Sequence, residues 1–206
     1  MPVRPIIVPS VDIMARLFDK IHDEFVDALT AKIKALTIDD ARADGTDIGP
    51  VIDQVQLTQN LKYIKIGNDE GANLLVGGDV LERSTPGFFM APALFVDTHN
   101  DMRINREEIF GPVATVIRVS DFDEALSVAN DTEFGLSAGL CTQSLSATRK
   151  FKQDSQAGMV MINLPTAGVD YHVPFGGTKN SSYGSREQGS YASEFYTSVK
   201  TAYIGS

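Results

Sequence analysis

The sequence predicts an α/β fold, a mostly parallel sheet flanked by helices with a β-rich C-terminal tail. Two observations carry that prediction. Val113 to Val119 is a near-continuous apolar run, the pattern of a strand buried on both faces. From there the pattern alternates: a helix through Ala129, a strand at Ser137 to Thr142, a helix from Ser144 or Ser146 to near Gly158, and a strand at Met159 to Ile162. Alternation with such short links means parallel pairing through right-handed crossovers. A chain of 206 residues that is 43% hydrophobic and 22% charged can bury one sizeable core.

Taken in order, Val3 to Val8 is β-branched enough for a strand, and Pro2, Pro5 and Pro9 restrict it to an edge or an irregular start. Ser10 and Asp12 are both credible N-caps for an amphipathic helix carrying Met14, Leu17, Phe18, Ile21, Phe25, Leu29, Ile33 and Leu36 at helical spacing. A polar loop from Asp39 to Pro50 leads to a second helix, from near Asp53 to Gly71, with Leu57, Leu61 and Ile64 inward. Ala72 to Val76 reads as a short strand and Gly87 to Val96 as an extended stretch limited by Pro92. Ser120-Asp121-Phe122-Asp123 has the form of a capping box opening the helix through Ala129. Asn163 to Ser185 has no period and reads as a long functional loop. Arg186 to Phe195 reads as helical, and Tyr196 to Ile204 as strand.

Composition excludes several classes. A net charge of −9 without a basic face argues against nucleic-acid binding. No apolar run approaches the roughly 20 residues of a membrane span, and no signal peptide opens the chain. The one cysteine, Cys141, cannot build an internal disulfide and fits a reducing compartment, so a cytoplasmic protein is expected.

The chemistry concentrates in Glu107-Glu108-Ile109-Phe110-Gly111-Pro112-Val113. A carboxylate can accept two hydrogen bonds from a vicinal diol such as a ribose, and a ring two residues on can stack on a flat heterocycle. Gly111 leaves room for close approach, and Pro112 opens the strand where a missing donor does least harm. Against this stands the plainer alternative of a solvated turn before a strand.

Four motifs, in order, resemble the C-terminal half of NAD(P)-dependent aldehyde dehydrogenases: the Glu107–Val113 segment, Ala129-Asn130-Asp131-Thr132-Glu133-Phe134-Gly135-Leu136-Ser137-Ala138-Gly139, Pro174-Phe175-Gly176-Gly177, and Glu194 to Tyr203. The segment Asn163-Leu164-Pro165-Thr166-Ala167-Gly168-Val169-Asp170-Tyr171-His172-Val173-Pro174-Phe175 is most similar to the branch acting on α-ketoglutaric semialdehyde. The resemblance implies that Glu108 binds the ribose hydroxyls beside nicotinamide and that Phe110 packs against that end of NAD or NADP. It implies that Tyr171, His172 and Phe175 line the aldehyde entrance. It also implies a catalytic α/β domain over residues 1–194, followed by an oligomerisation strand, Phe195 to Ile204, that joins subunits into a homo-oligomer.

The resemblance also sets what is expected to be missing. The family attacks its aldehyde with a cysteine thiolate, and that cysteine precedes the strand that Val3 to Val8 resembles. Cys141 lies elsewhere, with no neighbouring base or cation in sequence to activate it, and is expected to be inert. No Gly-rich dinucleotide loop is present, and Gly176-Gly177-Thr178-Lys179 has the wrong order for a Walker loop. The isolated chain is therefore expected to be inactive and to bind cofactor weakly or not at all. Two other readings stay open, a non-catalytic assembly module and one half of a split enzyme. His22 is expected to be structural and His99 to sit in a solvated turn, with no metal site. His172 reads equally as a substrate contact or as a loop residue packed on the core. Arg186-Glu187 reads as a structural ion pair or cap.

Overall fold

The computed structural model describes residues 6–9 and 13–205. In chain order come β1 (Ile6–Pro9), β2 (Ile13–Phe18), α1 (Asp19–Ala35), α2 (Gln54–Asp69), β3 (Asn73–Val76), β4 (Val80–Leu81), β5 (Phe89–Met90) and β6 (Ala93–Val96). They are followed by α3 (Arg103–Arg106), β7 (Val113–Val119), α4 (Phe122–Asn130), β8 (Ser137–Cys141), α5 (Leu145–Asp154), β9 (Met159–Ile162) and α6 (Ala192–Tyr196). Among the described residues one seven-stranded sheet runs β3-β6-β7-β2-β1-β8-β9, and β4 pairs with β5 separately.

Pairing is parallel for β6 with β7, β2 with β7 and β8 with β9. β3 at one edge is antiparallel to β6, and β1 is antiparallel to both its neighbours. The expected α/β class and mostly parallel sheet are what the chain adopts. Alternate residues of the central strands divide the core. Leu94 and Val96 of β6 and Val116 of β7 pack with Val26 of α1 on one face. Phe95 and Val113 pack with Leu57 and Ile64 of α2 on the other. Further along β7, Ile117 and Val119 join Leu126 of α4, Leu140 of β8 and Phe151 of α5. Phe95 and Phe151 are fully buried, so each removes roughly 150–250 Å² of ring surface from water.

The helix starts have local causes. Asp53 accepts from the Gln56 amide at 2.8 Å, Asp121 from Glu124 at 2.9 Å and Ser144 from Ala147 at 3.2 Å, each satisfying an orphan N–H of the first turn. The Glu124 carboxylate reaches back to the Ser120 amide and hydroxyl at 2.7 and 2.6 Å, so the capping pair is Asp121 with Glu124, one residue later than the spacing suggested.

Three expectations are corrected. The first helix begins at Asp19, because Ile13–Phe18 is β2, paired residue for residue with Ala114–Val119. A short apolar run suits either period, and here the parallel ladder decides. The proposed caps Ser10 and Asp12 lie outside the described residues. The second correction is at Arg186 to Phe195, where only a 3₁₀ turn, Gly189–Tyr191, and α6 form. Gly189 has φ +63°, and a Cβ there would lie 2.4 Å from the His172 carbonyl oxygen, so this backbone cannot continue a helix from Arg186. Third, Thr197 to Gly205 forms no strand within this chain, and Val199, Tyr203 and Ile204 are at least 95% exposed.

Candidate functional site

The Glu107–Pro112 turn sits at the N-terminal edge of β7, and one face of α2 holds it there. The Tyr63 hydroxyl donates to Glu107 Oε2 at 2.7 Å, while Arg103 donates to both oxygens of that carboxylate at 2.9 Å. These bonds, Arg103 first and Tyr63 second, hold the Glu107 carboxyl below its ordinary range. Glu107 is thus committed to structure. Glu108, half-buried beside it, makes no hydrogen bond or ion pair with the described residues.

Gln56 Nε2 donates to the Ile109 carbonyl at 2.7 Å and Gln59 Nε2 to the same oxygen at 3.3 Å. The Ile109 side chain is fully buried, which anchors the turn from below. Phe110 then takes φ +54° and is 73% exposed. A non-glycine residue in that region stores strain, and an exposed ring held in it is a feature of ligand clamps. Under Gly111 lies Asn60, fully buried, and a Cβ on Gly111 would stand 2.4 Å from the Asn60 Oδ1. Gln56, Gln59, Asn60 and Tyr63 follow i, i+3, i+4, i+7 spacing and form one polar stripe on α2. Sequence reasoning saw only the apolar face of this helix, and the stripe beside it was the missed signal.

The other motifs meet at the same sheet edge. Arg106 pairs with Asp131 at 3.2 Å, and Lys179 donates to the carbonyls of Asn130 and Thr132 at the end of α4. Thr178 and Gly158 both donate backbone N–H groups to the Gly135 carbonyl at 2.9 Å, and Ser181 accepts from the Gly135 amide at 2.9 Å. Arg186 Nη1 donates to the Gly177 carbonyl at 2.6 Å. Lys179 is thereby used as a helix C-cap, and burial lowers its pKa. The Gly176–Lys179 segment is a structural knot, in keeping with its non-Walker order.

After β9 the chain folds back over β8. Asn163 copies a strand neighbour with its side chain, accepting from the Thr142 amide at 2.7 Å and donating to the Thr142 carbonyl at 2.8 Å. Ser137 donates to the Thr166 carbonyl at 3.1 Å. A mostly apolar cleft of about 440 Å³ remains between Gly139, half-buried Cys141 and Asn163–Ala167. Tyr171 and His172 stand exposed as an edge-to-face pair with ring centroids 5.5 Å apart, and Phe175 is half-buried nearer the knot. No hydrogen bond or ring contact among the described residues joins this loop to the Glu108 turn. β7 and β8 are three strand spacings apart, on the order of 14 Å.

His22 is buried at 3% exposure, with Nδ1 2.8 Å from Arg118 and 2.9 Å from Asp23, a packed structural histidine. His99 is exposed in the turn before α3, where its carbonyl accepts from Asn105. Among the described residues no three His, Cys, Asp or Glu side chains stand together as metal ligands, and no helix is long and apolar enough to cross a membrane.

The model of the aldehyde dehydrogenase family matches residues 15–202. The chain belongs to the aldehyde dehydrogenase family. It is 41% identical over 186 residues to an alpha-ketoglutaric semialdehyde dehydrogenase of Bacillus subtilis, covering 89% of this chain and 38% of that protein. It is 43% identical over 194 residues to an alpha-ketoglutarate semialdehyde dehydrogenase of Haloferax volcanii, covering 92% and 39%. Superposed on an aldehyde dehydrogenase from Bacillus cereus in its NAD+ complex, it gives a TM-score of 0.86 at 33% identity, over 92% of this chain and 38% of that one. This aldehyde dehydrogenase chain thus spans under two fifths of the relatives it matches. Because the match starts at residue 15, the first strand shared with the aldehyde dehydrogenases is β2 rather than Val3 to Val8.

Proposed function

We propose that this chain supplies the nicotinamide-ribose grip and the aldehyde entrance of an enzyme that oxidises α-ketoglutaric semialdehyde to the acid with NAD or NADP. The observation that carries the proposal is the division of labour in Glu107-Glu108. One carboxylate is used to build the turn, and the other is left open beside the exposed, strained Phe110. A ribose diol fits that open carboxylate, which can accept from both hydroxyls. NAD(P)+ when bound accepts the hydride from the aldehyde carbon. Glu108 and Phe110 orient its nicotinamide end, and the α2 stripe keeps them in place. Tyr171, His172 and Phe175 form the aldehyde entrance, where the His172 imidazole suits the substrate carboxylate. The 41–43% identity to two semialdehyde dehydrogenases supports the substrate class. Phe195 to Ile204, which in the single chain closes α6 and then runs exposed, serves as an oligomerisation segment that pairs as a strand only between copies of a cytoplasmic homo-oligomer, and residues 1–194 form the catalytic-type domain.

The test is a chimera in which residues 15–202 replace the matching part of the B. subtilis relative. The expected result is NAD(P)H production with α-ketoglutaric semialdehyde well above that with propanal, and a Glu108→Gln version with a raised KM for cofactor. An active chimera indifferent to Glu108→Gln removes the ribose assignment, and one that prefers propanal removes the substrate class. A second reading, a non-catalytic assembly module, is favoured by the exposed Val199, Tyr203 and Ile204. It predicts that the intact chain alters the mass of full-length subunits.

A further inference from the structure

β1 is out of keeping with the sheet that holds it. Its flanking strands β2 and β8 run the same way, each antiparallel to β1, and their outer partners β7 and β9 run with them. β1 breaks that direction in the middle of the sheet. β2 faces β7 along its whole length, Ile13 to Phe18, and among the described residues its pairs on the β1 side are Leu17 with Ile6 and Arg16 with Ile7.

The family match explains why. It covers residues 15–202, which include β3, β6, β7, β8, β9 and most of β2, but not β1. Those strands keep the relatives' arrangement at a TM-score of 0.86 over 92% of the chain. Closing the gap between β2 and β8 would move one side of the sheet by about 4.8 Å against the other, which such an agreement does not allow. The relatives therefore hold the same one-strand gap and must fill it from the part of their length that this chain does not match.

We infer that β1 is a displaceable stand-in and that the slot between β2 and β8 binds a strand of that unmatched part. The inference rests on the family reading and names the partner. The occupant is an extended apolar segment of at least the six residues of β2, because β8, beside it, is buried along most of its length. Running parallel to β2 and β8, it would make the sheet uniform from β6 to β9.

The register provides a lock. Ile6 is the direct Cα partner of Cys141. Opposed antiparallel residues lie about 4.5–5.5 Å apart, inside the disulfide range. An Ile6→Cys variant of the full chain, oxidised with copper phenanthroline, ties β1 to β8, and dithiothreitol frees it. The probe is the remainder of the B. subtilis relative, produced as a separate polypeptide. The expected result is that the probe binds the intact chain and the reduced variant, and binds the oxidised variant at least ~100-fold more weakly. On the unmodified chain, hydrogen exchange should show Ile6–Val8 amides opening at least ~10-fold faster than those of β7, and faster still with the probe bound, while β8 stays protected. Equal binding by the locked form, no binding by any form, or β1 amides as protected as those of β7 would overturn it. Oxidised Ile6→Cys running as a covalent dimer would overturn it too, by giving the slot to β1 of a second copy. The chimera described above omits β1, so its success or failure is independent of this one.

Discussion

Gln56 on α2 donates its side-chain amide to the carbonyl of Ile109, 53 residues away, at 2.7 Å, and with it the helix sets the backbone that presents Glu108 and Phe110. Tyr63, two turns further on, does the same through Glu107. The open carboxylate is therefore positioned by residues that do not themselves belong to the motif.

Removing that support should loosen the turn more than the fold. Gln56→Ala is expected to cost about 1 kcal/mol, a typical net value for such a bond. Hydrogen exchange at Ile109–Val113 should rise while the β7 centre is unchanged. Uniform exchange across β7 in the variant would deny α2 this role.

Gly111→Ala should destabilise by about 1–3 kcal/mol, because its Cβ meets the buried Asn60 amide. Denaturant melts of Gly111→Ala and of Gly111→Ala with Asn60→Ala decide the cause. The double variant is expected to recover part of the loss, and strictly additive losses would place the cost elsewhere.

Acid should release the turn through Glu107. Its folded pKa lies below the ordinary 4.5, held down first by Arg103 and then by Tyr63. Its contribution is then fully present above the unfolded value and is lost as pH falls through the lower folded one. Local exchange at Ile109–Gly111 should accelerate below pH 4.5, and Tyr63→Phe should move that onset upward. The side chain is 41% exposed, so the effect is small and reduced by salt.

Cys141 should take no part in aldehyde chemistry. It is half-buried on β8 against an apolar cleft, and no cation or base among the described residues is bonded to it. The isolated chain and its Cys141→Ser variant should both leave NAD+ unreduced in the presence of α-ketoglutaric semialdehyde. Turnover by the unsubstituted chain that vanished in Cys141→Ser would reverse this.

Deleting residues 195–206 should lower the sedimenting mass, since Val199, Tyr203 and Ile204 are bare within the single chain. An unchanged mass, or a monomer before deletion, would remove the assembly role from the tail.

Much of this was readable from residues alone. β7 and β9 follow the predicted bounds, because an uninterrupted apolar run beside a capped helix leaves few alternatives. The family likeness was legible too, in four motifs, three of which the fold brings to one end of the sheet. Other features depend on distant partners and so leave no local mark. Ile13–Phe18 became a strand only because β7 offered it a ladder. Glu107 and Glu108 are neighbours in sequence, and only Tyr63 and Arg103 decide which one is spent on structure. Local pattern determined the elements and the family. Which carboxylate stays open, and which strand stands between β2 and β8, are matters of long-range pairing, decided by the tertiary structure.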